Sequence, residues 1–208
     1  MERIYWMDSE LLQESVLYGR ALAACSPERR EALEGLRNEV DRLESLAAAC
    51  LLDLALRPFR LREREMDYGR GAAGKPFFRN RPELHFSLSH GDGLAVCAIA
   101  DRPVGVDVEG QRPVSEALLR RYFTPEERAA AEPLRLWTLK ESCCKMTGRG
   151  LAALTEIHLK FGASVKACDL DAAFWESRLP GGHFLALCRE GVEPLFPEVC
   201  EISRSDLG

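Results

Sequence analysis

The chain has 208 residues and eight cysteines but no Cys-x-x-Cys pair, and its four histidines are scattered. Zinc sites of paired cysteines or grouped histidines are therefore not expected. Several cysteines lie inside apolar runs such as Ala95-Val96-Cys97-Ala98-Ile99. That placement reads as reduced, buried thiols of a cytoplasmic protein rather than a disulfide framework. A Gly-x-Ser-x-Gly elbow is missing, and no acid is spaced to complete a hydrolase triad, which excludes a serine nucleophile of that kind. No apolar run approaches the roughly 20 residues of a membrane span. The opening Met1-Glu2-Arg3-Ile4-Tyr5-Trp6 lacks the apolar core of a signal peptide. Basic excess is absent too: 28 Lys and Arg stand against 33 Asp and Glu, a net charge of −5, so nucleic acid is not the expected partner. What is present, 46% hydrophobic and 29% charged residues, describes an ordinary globular chain. Its length suits one large domain or two of about 100 residues each.

The order of elements is readable from periodicity and punctuation. Residues 3–7 form a short strand, and an apolar stripe of Leu11, Leu12, Val16 and Leu22 marks a helix over 10–24. Ser26-Pro27-Glu28 opens a new helix, with serine as N-cap and proline in the first turn. Its continuation to Leu56 is long enough for two helices, and Pro58 ends it. A basic, glycine-rich loop over 69–76 follows. Strands over 84–90 and 94–100 flank the turn Gly91-Asp92-Gly93 and make a hairpin. The second half echoes the first in the same order. Thr124-Pro125-Glu126 matches Ser26-Pro27-Glu28, Leu139-Lys140-Glu141-Ser142 matches Arg42-Leu43-Glu44-Ser45, Gly148-Arg149-Gly150 matches Gly69-Arg70-Gly71, and 182–188 matches 93–98. The expectation is a duplicated lobe, 1–102 and 103–208, with a cleft between the copies where sites form. Pro194, Pro197 and the last eight residues read as a poorly ordered tail.

At the centre lies Gly105-Val106-Asp107-Val108-Glu109. On a strand, period two places both valines on one face and both carboxylates on the other. Two neighbouring carboxylates raise each other's pKa unless a cation sits between them, and the hard cation that suits oxygen ligands is magnesium. Trp137, Glu141 and Lys145 lie at i, i+4 and i+8 on one side of a helix. Two readings stay open here: a surface ion pair beside a core tryptophan, or Glu141 as a third carboxylate with Lys145 aimed at a phosphate. Lys75 after Gly74, and Ser89-His90 at a strand end, are candidates for the rest of a phosphate site.

Taken in order, Gly74-Lys75-Pro76, Phe86-Ser87-Leu88-Ser89-His90, Gly105-Val106-Asp107-Val108-Glu109, Phe123-Thr124-Pro125-Glu126-Glu127 and Trp137-Thr138-Leu139-Lys140-Glu141-Ser142 with Lys145 resemble the motifs of the 4′-phosphopantetheinyl transferases. The likeness is to the long, two-lobed type that is found as monomers. It implies an α+β pseudodimer, each lobe a small antiparallel sheet packed with helices, with the active site between them. It also implies transfer of the phosphopantetheine arm from coenzyme A to a serine of an apo acyl or peptidyl carrier protein, releasing 3′,5′-ADP. By resemblance, Asp107, Glu109 and Glu141 would ligate Mg2+, Lys145 and His90 would contact phosphates, and Arg29, Ser89 and Lys75 would hold the nucleotide. Glu127 falls where the family has a glutamate proposed to help deprotonate the carrier serine, and Arg120-Arg121 is a candidate basic patch for an acidic carrier. One position departs from the pattern: Glu44 stands where the family usually has an arginine that helps hold the 3′-phosphate, leaving Arg29 and Arg42 as the cations available. The same residues also fit a magnesium-dependent nucleotide pyrophosphohydrolase, or a binding module for coenzyme A or a carrier that has lost activity.

Overall fold

A computed structural model describes all 208 residues. The first half runs β1 (Glu2–Asp8), α1 (Ser15–Ala24), α2 (Pro27–Glu34), α3 (Glu39–Leu56), β2 (Tyr68–Arg70), β3 (Pro76–Phe78), β4 (His85–Gly91) and β5 (Leu94–Ala100). The second half runs β6 (Val104–Glu109), α4 (Glu116–Tyr122), α5 (Pro125–Ala130), α6 (Pro133–Thr147), β7 (Leu159–Lys160), β8 (Lys166–Ala167), β9 (Ala172–Arg178), β10 (Phe184–Glu190) and β11 (Glu198–Glu201). The mixture is α+β, as expected. No helix is long and apolar enough to cross a membrane.

The punctuation residues act where their chemistry says they should. Ser26 caps α2 by accepting from Arg29 N, with Pro27 in the first turn. Thr124 and Glu127 cap α5 reciprocally, again ahead of a first-turn proline. The long helical stretch is two helices, α2 and α3, and the α-helix stops at Leu56 just before Pro58. Between β4 and β5 the two-residue turn puts both Asp92 (φ 51°) and Gly93 (φ 86°) in the left-handed region, the backbone that a tight hairpin needs.

Two sheets form the centre, ordered β11-β1-β5-β4 and β6-β10-β9-β8-β7, with β2 and β3 as a separate ribbon. Three strands of each repeat one arrangement: β1-β5-β4 in the first and β6-β10-β9 in the second. The sheets share a buried layer made of Ile4, Trp6, Val96, Ala98, Val104, Val106, Val108, Leu185 and Leu187. On the far side of β5, Ala95, Cys97 and Ile99 pack with α3. On the far side of β10, Ala186 and Cys188 pack with Leu136, Leu139 and Cys143 of α6. Burial on both faces explains why β5 reads as an unbroken apolar run instead of alternating. Each fully buried valine or leucine side chain in these layers contributes about 1.5–3 kcal/mol.

The last strand corrects the reading of the C-terminus. β11 pairs in parallel with β1, Arg3 facing Glu198 and Trp6 facing Glu201, so the segment read as a loose tail closes the edge of the first sheet. Otherwise the two sheets divide between β5 and β6, at residues 101–103. All eight cysteines are free thiols, and six of them are buried.

Candidate active site

The two sheets meet where β4 runs beside β6 without a backbone ladder. Serine hydroxyls take the ladder's place: Ser87 Oγ accepts from Val106 N at 3.0 Å and Ser89 Oγ from Val108 N at 3.5 Å. The period of two along β4 places both hydroxyls at this seam. With Val104, Val106 and Val108 turned into the shared core, Asp107 faces the other way. It is 2% exposed, and Ser89 Oγ donates to its Oδ1 at 2.8 Å.

Helix α6 reaches this point because of Gly105. A Cβ on that residue would stand 1.9 Å from Ser142 O and 2.3 Å from Met146 N, so only glycine lets the helix backbone lie on the strand. Ser142 and Met146 flank Lys145, whose ammonium therefore arrives over Asp107. Lys145 Nζ donates to Asp107 Oδ1 at 2.6 Å and to Ser89 Oγ at 2.7 Å, and lies 3.9 Å from Glu141. Gly148 then stops α6 in the left-handed conformation, φ 67°.

The electrostatics of this cluster are unresolved within the protein. Burial holds the Asp107 carboxyl above the ordinary carboxylate range, outweighing the pull of Lys145 and the Ser89 hydrogen bond. Glu141 is pushed up to about 7, by burial first and by the charge of Asp107 second. Asp107 Oδ2 is buried with no hydrogen-bond partner at all. Orphaned buried oxygens are rare, and this one sits beside a second carboxyl that one lysine cannot neutralise. A small divalent cation would supply what is missing, and oxygen donors of this kind suit magnesium. They are not a ready-made three-carboxylate cage, because Glu109 is held bidentately by Arg112, at 2.9 and 3.1 Å. Arg112 carries no sequence signal beyond standing three residues after Glu109.

A cleft of about 470 Å³ opens here, lined by Glu141, Lys145, Ser87, Lys75, Arg29 and Arg70 among others. Lys75 belongs to it by its stem. Its ammonium, however, donates to Val104 O at 2.9 Å and Met146 O at 3.1 Å, pinning the glycine-rich loop to the start of β6 and the end of α6. Burial brings its pKa down to about 8. Arg29 lines the cleft from α2, 3.9 Å from the buried Glu63. His90 is exposed, with Nδ1 3.2 Å from Glu44, and Glu44 also accepts from Gly93 N at 2.7 Å. Glu44 is thus the clamp of the β4–β5 turn and the holder of His90. Arg42 does not substitute for it in the cleft: it donates to Leu36 O and lines a separate hollow with Tyr18 and Glu39.

Glu127 stands apart from these residues in its chemistry. Its Oε2 accepts from Thr124 N at 2.9 Å and pairs with Lys140 at 2.8 Å, while Oε1 accepts from Leu159 N at 2.7 Å. Both side chains of the Glu127–Lys140 pair are 1% exposed. Both of its oxygens are engaged in holding α5, α6 and β7 together. The capping-box pattern Thr-x-x-Glu was the signal for that role.

Comparison with known proteins agrees with the geometry. The 4′-phosphopantetheinyl transferase superfamily model matches residues 103–181, which carry Asp107, Glu141 and Lys145. The chain is 26% identical to the 4′-phosphopantetheinyl transferase Sfp of Bacillus subtilis, over 93% of this chain and 92% of the relative. It is 33% identical to the 4′-phosphopantetheinyl transferase AcpT of Salmonella typhi, over 68% of this chain and 76% of the relative. To the 4′-phosphopantetheinyl transferase HetI of a Nostoc species it is 39% identical, over 49% and 50%. With a one-third identity that spans three quarters of a characterised relative, and a buried acid–lysine cluster inside the matched region, the chain belongs to the 4′-phosphopantetheinyl transferase superfamily.

Proposed function

We propose that this protein moves the 4′-phosphopantetheine arm from coenzyme A to a serine of an apo acyl or peptidyl carrier protein, releasing 3′,5′-ADP. The observation that carries the reading is the buried Asp107–Lys145–Ser89 cluster behind the cleft, which Lys145 and Glu141 line, with an unpartnered Asp107 oxygen beside a high-pKa Glu141. Asp107 and Glu141 would hold Mg2+, with Glu109 joining once it leaves Arg112. Bound there, the cation would neutralise charge on the pyrophosphate as the phosphoryl group transfers.

The remaining work falls to the chain's own side chains. Lys145 is a fixed cation at the cleft, oriented by Ser89 and Asp107 and so preorganised toward an anionic oxygen. Glu44 holds Nδ1 of His90, and Nε2 would meet a phosphate when the imidazole carries both protons and donates from each nitrogen. Phosphoryl transfer needs little covalent chemistry from a protein, and positioning with charge neutralisation supplies most of the rate. We assign Glu127 the positioning of α5 and α6, because both of its oxygens are engaged and its side chain is 1% exposed, away from an incoming carrier serine. Arg120 and Arg121 lie exposed at the end of α4, a surface suited to an acidic carrier. The expected working form is a cytoplasmic monomer, in keeping with eight free thiols.

Incubation with coenzyme A, magnesium and several apo carriers tests the reading. Mass spectrometry should show the carrier gaining the phosphopantetheine arm. Carriers that stay unmodified while ADP products accumulate would replace it with hydrolysis.

A further inference from the structure

Between β6 and α4 the chain runs through residues 110–115 without helix or strand, and this loop carries one cation back onto the acid cluster. Its start is anchored. Gly110 lies close against the Asp92 side chain of the β4–β5 turn, and Gln111 Nε2 donates to Gly182 O at 2.9 Å. Arg112 then turns its guanidinium over Glu109, donating from Nε at 2.9 Å and from Nη2 at 3.1 Å. The Arg112 side chain is 46% exposed and that of Glu109 only 18%. The cation can therefore swing into solvent while the carboxylate stays where the strand holds it.

This pair differs from an ordinary surface bridge in what surrounds it. Asp107 and Glu141 share one ammonium, that of Lys145, and Glu109 adds a third carboxylate to the group. The hydrogen bond to Glu109 holds the Arg112 guanidinium above its ordinary range, and the charges of Glu109, Glu141 and Asp107 add to that hold. Arg112 is thus the second cation of the cluster. It also lies 6.0 Å from the centre of the Trp137 ring, within cation–π range. A guanidinium that lets go of Glu109 keeps that aromatic face, one helical turn from Glu141, so its release is not a transfer to nothing.

We propose that Arg112 is a built-in competitor for the metal site, a guanidinium that holds Glu109 until a divalent cation displaces it and that makes metal binding weaker than the three carboxylates alone would give. The proposal rests on Asp107, Glu109 and Glu141 being the metal site of the transferase reading. A forked, charge-assisted pair engages both oxygens of Glu109 and brings a positive charge to the place a metal ion would occupy. Sharing the carboxylate would set two cations side by side, so exchange is the favoured outcome. Arg112 therefore positions Glu109 and tunes the site through it, without itself being a ligand. Such an exchange also explains how a cluster of three acids is tolerated by the fold: the chain supplies its own second counter-ion.

Titration with Mn2+, read from the electron paramagnetic resonance of the free ion with neither coenzyme A nor carrier present, tests the competition without turnover. Arg112→Ala should bind Mn2+ about 3- to 10-fold more tightly than wild type, the effect of losing one partly exposed bidentate pair. Arg112→Lys should fall between the two, because it keeps the charge and loses the fork. Glu109→Gln removes the contested carboxylate, so adding Arg112→Ala to it should change the affinity by less than about twofold. Thermal unfolding of each variant checks that the fold is intact. Arg112→Ala binding Mn2+ no more tightly than wild type overturns the proposal. An equal gain in the Glu109→Gln background also overturns it, since that is a general effect of charge and not an exchange at Glu109. Asp107→Asn separates the two levels, and should weaken Mn2+ by at least about tenfold. If it does so while Arg112→Ala changes nothing, the competition fails and the metal reading stands; if Asp107→Asn binds as tightly as wild type, the metal site itself fails and the competition with it.

Discussion

Asp53 and Glu63 in the first half are as deeply buried as Asp107 in the second, yet their surroundings differ. Asp53 accepts two bonds from Arg62, at 2.9 and 3.0 Å, and one from Glu63 N at 3.1 Å. Glu63 accepts from Ser26 and Tyr68 and ties α2 to the ribbon. Asp107 has one oxygen doubly bonded and the other empty, and its neighbour Glu141 is pushed up to about 7. Satisfied carboxylates hold a fold together, whereas an unsatisfied pair stores a demand for charge that a ligand can meet. The helices differ in the same way. α3 presents Glu44 to a backbone N–H and a histidine, while α6, let in by Gly105, presents Glu141 and Lys145 to an open cleft.

Breaking the approach of α6 should have the largest effect. Gly105→Ala drives a methyl against Ser142 O, so unfolding in urea should show a loss of about 3 kcal/mol, and transfer should fall with it as Lys145 moves. Next comes the satisfied side of the comparison. Glu63→Gln leaves a buried network with a misplaced donor and should cost about 1–3 kcal/mol in the same assay, while KM for the carrier stays unchanged. A smaller effect belongs to Lys75, whose folded pKa of about 8 lies below the ordinary 10.5. Below pH 8 both folded and unfolded states carry its proton. Between those two values the unfolded chain binds more protons than the folded one, so this residue makes stability rise with pH. Stability curves from pH 7 to 10 should lose that upward contribution in Lys75→Met.

Much of this was legible in the residues themselves. Alternation put Val106 and Val108 in the core and Asp107 opposite them, and Ser26, Thr124 and the Asp92-Gly93 turn marked local structure that needs no distant partner. What stayed hidden depends on contacts far apart in the chain. Glu198-Val199-Cys200-Glu201 has no strand pattern of its own and becomes β11 only because the β1 edge, nearly the whole chain away, has open backbone groups. Glu127 and Lys75 are charged residues in exposed-looking motifs, and only the fold shows their atoms already spent on Lys140, Leu159 N, Val104 O and Met146 O.

The central claim is that Asp107 serves the reaction and not the fold, and Asp107→Asn tests it most directly. The substitution keeps the shape, leaves the amide oxygen for Lys145, and removes the buried charge conflict with Glu141. Measured as the initial rate of carrier labelling at saturating coenzyme A and magnesium, on protein whose melting temperature is equal to or above wild type, the rate should drop at least about 100-fold. Labelling at the wild-type rate by this variant would contradict the account.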